Sequence, residues 1–207
     1  MAIYGGAYAS IAFCGSFRGH EVFLTDLDGL IKENEKVKQS KENHYVIIPL
    51  LGRFKGETGE RYHLTPLAAT TASGIKLSFW VQLLIAMHIK HGRSRGPAFI
   101  DKNGRPMSSG YMQNFLLARL EKVKFNRPDL IPLSVEVFED YGISRSFRRG
   151  ATTHARNQKV KKSDIDAANR WRNVENAQGR KINQPMHDHY AEVSQMLPTL
   201  LRFSQAL

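Results

Sequence analysis

The sequence predicts an α+β fold that is mostly α-helical and contains one small antiparallel sheet. Apolar residues recur at helical spacing in most segments of the chain. Residues 44–50 are rich in branched and aromatic residues, and residues 61–67 alternate between polar and apolar residues; both patterns are typical of strands. Glycines and charges at 52–59 are typical of an exposed hairpin tip, so the two strands are expected to pair antiparallel.

Helices are predicted before and after this hairpin. The first covers the small apolar residues 7–17, with Gly15 near its end. A turn is predicted at 25–28. The longest apolar run, 77–89, is interrupted by polar residues and predicts a buried core helix at 78–90.

A further helix is predicted to begin at a cap formed by Ser108 or Ser109. It should run to about residue 123 and bury one apolar face. That face is predicted to consist of Met112, Leu116, Leu120 and Val123. Residues 124–143 contain two prolines and are predicted to form a loop with one short helix.

The last third of the chain is also predicted to be helical. Residues 144–156 and 163–171 each begin at a serine that can cap a helix. Residues 173–185 show no clear period and are predicted to form a surface loop. Residues 191–205 form an amphipathic terminal helix, which we expect either to dock on a neighbouring protomer or to pack on its own core.

The net charge predicts a polyanionic partner. The 207 residues carry a formal charge of +11 and are long enough for a single domain, 1–207, with its own core. Residues 141–207 contain twelve Lys and Arg against five Asp and Glu, so most of the excess lies there. Double-stranded DNA is the expected partner, because neutralised phosphates release counterions. An anionic membrane surface is the alternative.

Membrane insertion and secretion are not indicated by the sequence. The run at 77–89 is too short to span a bilayer, and no signal-peptide pattern opens the chain. The single cysteine, Cys14, cannot form an internal disulfide. We therefore expect no membrane association and an intracellular location, on DNA.

The order of spaced arginines and a late tyrosine carries the most chemical information. In chain order these residues are Arg18, Arg145, Arg148, Arg149 and Tyr190. A phenol can attack phosphorus while guanidiniums neutralise the charge that develops on the phosphate oxygens. The pattern therefore indicates covalent phosphodiester chemistry.

The order of these motifs resembles the catalytic domain of the tyrosine recombinase (phage integrase) family over nearly the whole chain. Phe17-Arg18-Gly19-His20-Glu21 is similar to the family's first arginine segment, and Arg145-x-x-Arg148 is similar to its second. The matching segments are 17–21, 51–67, 96–106, 145–148, Trp171 and Tyr190.

This resemblance implies the tyrosine recombinase catalytic-domain fold, without the family's N-terminal DNA-binding domain. The catalytic residues that it implies are Arg18, Lys55, Arg145, Arg148, Trp171 and Tyr190. Glu21 is implied to orient Arg18. Lys55 is expected to act as general acid on the leaving oxygen, with Arg53 as the substitute candidate. The predicted DNA-binding residues are Arg53, Arg149, Lys159, Lys161, Lys162 and Arg172.

The implied activity is site-specific DNA recombination through a 3′-phosphotyrosyl intermediate. The resemblance implies no cofactor and no metal, and a tetramer on paired DNA sites, with a monomer as the alternative for an isolated domain. A zinc site at His187 and His189 is disfavoured, because no Cys or third His lies at ligand spacing nearby.

The chain departs from the family pattern at two places. Arg145 stands where the family most often has histidine, and the gap from Trp171 to Tyr190 is longer than usual. Trp171 can therefore be either a phosphate ligand or a core residue. The alternative functions are a type IB topoisomerase, which religates the original strand, and a catalytically idle DNA-binding domain.

Overall fold

A computed structural model describes residues 1–41, 44–52, 61–143, 145–169 and 193–207. These residues are mostly helical and include a two-stranded antiparallel sheet, which confirms the predicted α+β class. The elements are α1 (Ala2–Cys14), a 3₁₀ helix (Glu21–Leu24), α2 (Leu27–Gln39), β1 (Tyr45–Gly52), β2 (Arg61–Ala68), α3 (Leu77–Lys90), α4 (Ser109–Asn126), α5 (Val137–Asp140), α6 (Ser146–Asn157), α7 (Lys162–Ala168) and α8 (Val193–Ala206).

The two strands pair over their whole length, as the branched residues predict. Tyr45 lies opposite Ala68 and Gly52 opposite Arg61. Ile48, in the middle of β1, is fully buried beneath the helices. The sheet therefore forms one wall of the main core.

Helix α1 runs through the main core and begins five residues earlier than predicted, at Ala2. Gly5 and Gly6 disfavour a helix by intrinsic propensity. They lie so close to the rings of Phe115 and Trp80 that a Cβ would come within 2.5 Å of either ring. Close packing against α4 and α3 therefore overrides the local preference.

Helix α2 corrects the predicted turn at 25–28. The Asp26 carboxylate accepts a hydrogen bond from the Gly29 N–H at 2.8 Å and caps the helix. Most residues of the helix are polar or charged, but one face is buried at helical spacing. The buried residues of that face are Leu27, Leu30, Asn34 and Val37.

The predicted burial of α3 is only partly right. Leu77, Val81 and Leu84 are buried, whereas Phe79 and Ile89 are 51% and 55% exposed. The helix therefore lies across the core with one apolar side open. Across the described ranges, none of the helices combines the length and the apolarity that a bilayer crossing requires.

Helix α4 buries a narrower face than predicted. Met112 is buried as expected, but the second buried residue is Leu117. Val123 is 36% exposed. Leu116 is half-buried and packs on the main core. Further along α4, Leu117 and the half-buried Leu120 pack on a small separate cluster with Ile131 and Val137.

The capping serines predicted for the last helices do not act as expected where they are described. Helix α7 begins after Lys161, which makes no side-chain cap bond, and Ser163 lies inside the helix. The helix ends at Ala168. Ser144 and Trp171 lie outside the described residues.

Helix α8 packs on the core of its own chain, which was one of the two expectations for the terminal helix. Phe203 and Leu207 are fully buried. The Ala68 N–H of β2 donates to the Ser204 hydroxyl at 2.8 Å. The sheet and the terminal helix are thus joined by a buried polar contact as well as by apolar packing.

Replacing Asp164 with asparagine is expected to weaken the attachment of α8 to α7. Arg202 donates to both Asp164 oxygens, at 2.8 and 3.0 Å, and these hydrogen bonds hold the pKa of Asp164 below its ordinary value. A depressed carboxyl pKa stabilises the fold above about pH 4 and less as pH falls through the folded-state value. We expect a loss of about 1 to 2 kcal/mol at pH 7, since Arg202 is half exposed and solvent screens the pair.

Urea unfolding at pH 7 and at pH 3 measures this loss, and the difference from wild type should shrink at the lower pH. Asp129→Asn is the matched control, because Asp129 also accepts two hydrogen bonds from an arginine but is 59% exposed. A pH-independent loss at Asp164, or an equal loss at Asp129, would contradict the expectation.

Candidate active site

The segment between α1 and the 3₁₀ helix positions Arg18. Ser16 adopts a positive φ of 48°, which turns the chain sharply after α1. The Tyr8 hydroxyl donates to the Gly19 carbonyl at 3.0 Å, and burial raises the pKa of Tyr8, so it remains a donor. A Cβ at Gly19 would lie 2.7 Å from both the Tyr8 oxygen and the Ile143 carbonyl, so only glycine fits. The backbone that carries Arg18 is therefore fixed.

One buried carboxylate joins two of the three arginines of the predicted catalytic set. Glu21 is 2% exposed. Its Oε1 accepts from Arg18 Nη1 at 3.2 Å, and its Oε2 accepts from the Arg18 backbone N–H at 2.7 Å. The same Oε2 accepts from Arg148 Nη2 at 2.9 Å. Two guanidiniums that lie 130 residues apart in sequence thus share one counter-charge.

Arg148 is also bound to the backbone of the Ser16 turn. Its Nε donates to the Ser16 carbonyl at 2.7 Å, and the residue is only 8% exposed. The Ser16 hydroxyl donates to Asn169 Oδ1 at 2.8 Å, and Asn169 Nδ2 donates to the Thr152 hydroxyl at 3.0 Å. These bonds connect the turn, α6 and the end of α7 into one polar network.

A cavity of about 490 Å³ opens beside this network. Its size is within the usual range for small-molecule and substrate sites. The lining residues are Arg18, His20, Arg145, Arg148, Arg149, Thr152 and Thr153. They present four guanidiniums, an imidazole and two hydroxyls, a set that suits the oxygens of an anion such as phosphate.

The N-terminus of α6 strengthens the positive potential of the cavity. The first turn of the helix contains no acidic residue, and its dipole is positive at this end. Arg145 precedes the helix, and Arg148 and Arg149 lie in its first turns. Three cations at a helix N-terminus repel one another and the dipole, and an anion among them relieves that repulsion.

The structure brings together five of the residues predicted from sequence. Arg18, Arg145, Arg148 and Arg149 line the cavity, and Glu21 lies behind two of them. Three predicted DNA-binding lysines are exposed at the connection between α6 and α7 and do not line it: Lys159, Lys161 and Lys162. The remaining predicted residues lie outside the described ranges: Arg53, Lys55, Trp171, Arg172 and Tyr190.

Sequence reasoning missed four residues of the site. His20 lies between Arg18 and Glu21 in the first motif, and that position was a signal for it. Thr152 and Thr153 follow the second motif by one helical turn, which places them on its face. No sequence signal points to Asn169, because its role depends on contacts with two distant segments.

Within the described ranges, no group of three or more His, Cys, Asp or Glu side chains is arranged to hold a metal ion. His187 and His189 lie outside those ranges.

No protein-family model, curated protein or solved structure matches this chain. A functional proposal therefore depends on the cavity and on the sequence motifs that line it.

Proposed function

We propose that this chain is a DNA strand transferase with the tyrosine recombinase catalytic-domain fold. The observation that supports the proposal is the buried Glu21, which holds Arg18 and Arg148 together beside a donor-lined cavity. A carboxylate behind the guanidiniums fixes their orientation without entering the cavity. Such fixed donors stabilise a phosphorane-like transition state better than mobile ones, because they need no reorganisation.

In the proposed reaction the Tyr190 phenol oxygen attacks the scissile phosphorus. A bond from phosphorus to the tyrosine oxygen forms, and the bond to the 5′ oxygen breaks. The phenol proton leaves to solvent, and the leaving oxygen takes a proton from Lys55, or from Arg53 as substitute. A 5′-hydroxyl from a partner strand then reverses these steps and releases the tyrosine.

Arg145 bears on how the phenolate is stabilised. It occupies the position at which the family most often has histidine and presents a permanent cation to the cavity. The cavity still contains an imidazole, from His20 in the first motif. In the proposed enzyme, cations supply the stabilisation of the phenolate, and His20 is a hydrogen-bond donor to the phosphate.

The proposed partner is double-stranded DNA, and the proposed active form is a tetramer on paired sites. The four predicted DNA-binding residues that lie in the described part are exposed near α6 and suit the DNA backbone: Arg149, Lys159, Lys161 and Lys162. Each phosphate that they neutralise adds to the salt dependence of binding.

Tyr190→Phe tests the proposed function. A duplex that carries a nick beside the scissile phosphate loses the leaving strand, so a covalent adduct accumulates and can be resolved on a denaturing gel. We expect the wild-type chain to form the adduct and Tyr190→Phe to lower its yield at least about 1000-fold, because the nucleophile is removed. Binding to the intact duplex should be unchanged.

Tyr111→Phe is the matched control, since Tyr111 is a half-exposed tyrosine on α4, away from the cavity. It should retain the adduct. A wild-type chain that binds DNA without any adduct would favour the idle DNA-binding domain. Relaxation of supercoiled DNA by a monomer would favour the topoisomerase.

A further inference from the structure

The net charge of the chain is concentrated in two stretches. Residues 90–105 carry five Lys and Arg and one Asp, and residues 141–207 carry twelve Lys and Arg and five Asp and Glu. The remaining residues, 1–89 and 106–140, contain thirteen cationic and thirteen acidic side chains. The whole charge of +11 therefore comes from 141–207 and from 90–105, which we call the basic loop.

The basic loop has a defined backbone shape. Three of its glycines have positive φ values, which place tight turns at Gly92, Gly96 and Gly104. Arg93 Nη2 donates to the Pro97 carbonyl at 3.3 Å across one of these turns. The cationic side chains are therefore presented by a folded segment with internal hydrogen bonds.

The only carboxylate of the basic loop is turned toward its own backbone. Asp101 Oδ1 accepts from the N–H groups of Asn103 and Arg105, at 2.8 and 3.0 Å. Among the described residues, no carboxylate lies within 4.0 Å of the exposed cations of the loop, in contrast to the paired lysines of α2. These exposed cations are Lys90, Arg95, Lys102 and Arg105.

Two backbone hydrogen bonds attach the basic loop to the segment of chain that follows Arg18 and Glu21. The Leu27 N–H donates to the Gly96 carbonyl at 2.8 Å, and the Ala98 N–H donates to the Thr25 carbonyl at 2.9 Å. Leu27 lies six positions after Glu21, so their Cα atoms are at most about 22 Å apart. This distance is shorter than one helical turn of a DNA duplex, about 34 Å.

We propose that the basic loop is a second phosphate-binding surface, which contacts the backbone of a DNA duplex whose reacting phosphate lies in the cavity. This proposal rests on the proposed function in one respect, that the reacting phosphate lies in the cavity. Arginine and lysine side chains without carboxylate partners bind phosphates without first breaking an ion pair, and the folded loop reduces the entropy lost on binding. An anionic membrane is the competing occupant.

The test replaces three exposed cations of the loop by glutamine: Arg95→Gln, Lys102→Gln and Arg105→Gln. The matched control removes the same charge from α2: Lys32→Gln, Lys36→Gln and Lys38→Gln. Both are made in the Tyr190→Phe chain, so that binding of an intact duplex is measured without cleavage. Fluorescence anisotropy between about 50 and 200 mM salt gives the slope of log binding constant against log salt.

We expect the loop variant to make this slope less negative by about 2.7, or about 0.9 for each phosphate that the loop no longer neutralises. The control should change it by less than about 0.5, because Lys32 and Lys36 are already paired with carboxylates. An unchanged slope in the loop variant, or equal changes in both variants, would overturn the proposal. Retained DNA binding with lost binding to phosphatidylserine vesicles would also overturn it and favour the membrane.

The same data separate this proposal from the strand-transfer function. A loop variant that loses salt-dependent binding supports the second surface even if the wild-type chain forms no covalent adduct. An adduct that forms normally while the slope is unchanged overturns the second surface alone.

Discussion

Replacing Arg148 with lysine is expected to lower the rate of covalent adduct formation at least about 100-fold. Lysine keeps the positive charge, so the expected loss of rate comes from the changed geometry of the hydrogen-bond donors. The Arg148 guanidinium binds Glu21 and the Ser16 carbonyl through two different nitrogens while it lines the cavity. A single ammonium cannot hold both contacts and also offer a planar pair of donors to a phosphate.

The free energy of unfolding of Arg148→Lys should fall as well, and the measurements have to separate this loss from the loss of cleavage rate. Arg148 is 8% exposed, so the Ser16 carbonyl would be left buried with a poor partner, at a cost of about 1 to 3 kcal/mol. Single-turnover cleavage at saturating DNA, below the unfolding transition of both proteins, gives the rate per folded molecule. Urea unfolding gives the free energy separately.

Arg156→Lys is the matched control for this substitution. Arg156 lies on the same helix, α6, but is exposed and does not line the cavity. Its replacement should leave the rate within about threefold and the stability within about 0.5 kcal/mol. A rate for Arg148→Lys that stays within about threefold of wild type would show that the buried guanidinium is not part of the chemistry.

The elements predicted best from the sequence are those in which local pattern and tertiary packing agree. The strands around Ile48 follow from the branched residues of β1 and the polar and apolar alternation of β2, and the terminal helix follows from its apolar periodicity. Helix α2 was missed because most of its residues are polar or charged and because aspartate, here Asp26, is common both in turns and at helix caps. Only the helical spacing of the buried Leu27, Leu30, Asn34 and Val37 distinguishes a helix from a turn here.

Helix boundaries and buried faces were predicted less well, for a different reason. Gly5 and Gly6 are poor helix formers, and only the rings packed on them explain why α1 begins at Ala2. In α4, Leu116 packs on the main core as its spacing predicts, whereas Leu117 packs on a separate cluster. The burial of Leu117 depends on the position of the cluster around Ile131, which no local pattern contains.

In the candidate site, the residue types could be predicted from the sequence but the contacts between them could not. The identities of Arg18, Glu21 and Arg148 could be predicted, because phosphate chemistry requires guanidiniums and a carboxylate to orient them. The contacts that hold these side chains in place could not be predicted. The contacts of Arg148 with the Ser16 carbonyl and of Ser16 with Asn169 join segments far apart in the chain, and backbone carbonyls carry no sequence signal.

Replacing Glu21 with glutamine is expected to destabilise the fold by about 3 kcal/mol and to slow cleavage. Both Glu21 oxygens accept from nitrogen donors, Oε1 from Arg18 and Oε2 from Arg18 and Arg148. In either orientation of the amide, its NH₂ group would face at least one of these donors. The substitution also leaves two guanidiniums, one of them buried, without their shared counter-charge.

The response of the melting temperature to inorganic phosphate distinguishes an orienting role of Glu21 from a purely structural one. Once the internal carboxylate is lost, an anion in the cavity no longer competes with Glu21 for Arg18 and Arg148. We therefore expect phosphate to raise the melting temperature of Glu21→Gln more than that of wild type, as tighter binding to the folded state requires. Cleavage at saturating DNA should nevertheless remain slow, because the guanidiniums are no longer held in one orientation.

Glu33→Gln is the matched control, since Glu33 pairs with the exposed Lys36 at 2.7 Å on α2. Its loss should cost less than about 1 kcal/mol and leave both the phosphate response and the cleavage rate unchanged. If Glu21→Gln kept wild-type stability, Glu21 would not be the shared counter-charge of the two arginines. If it were destabilised without a stronger phosphate response, Glu21 would support the fold but would not set the affinity of the cavity for anions.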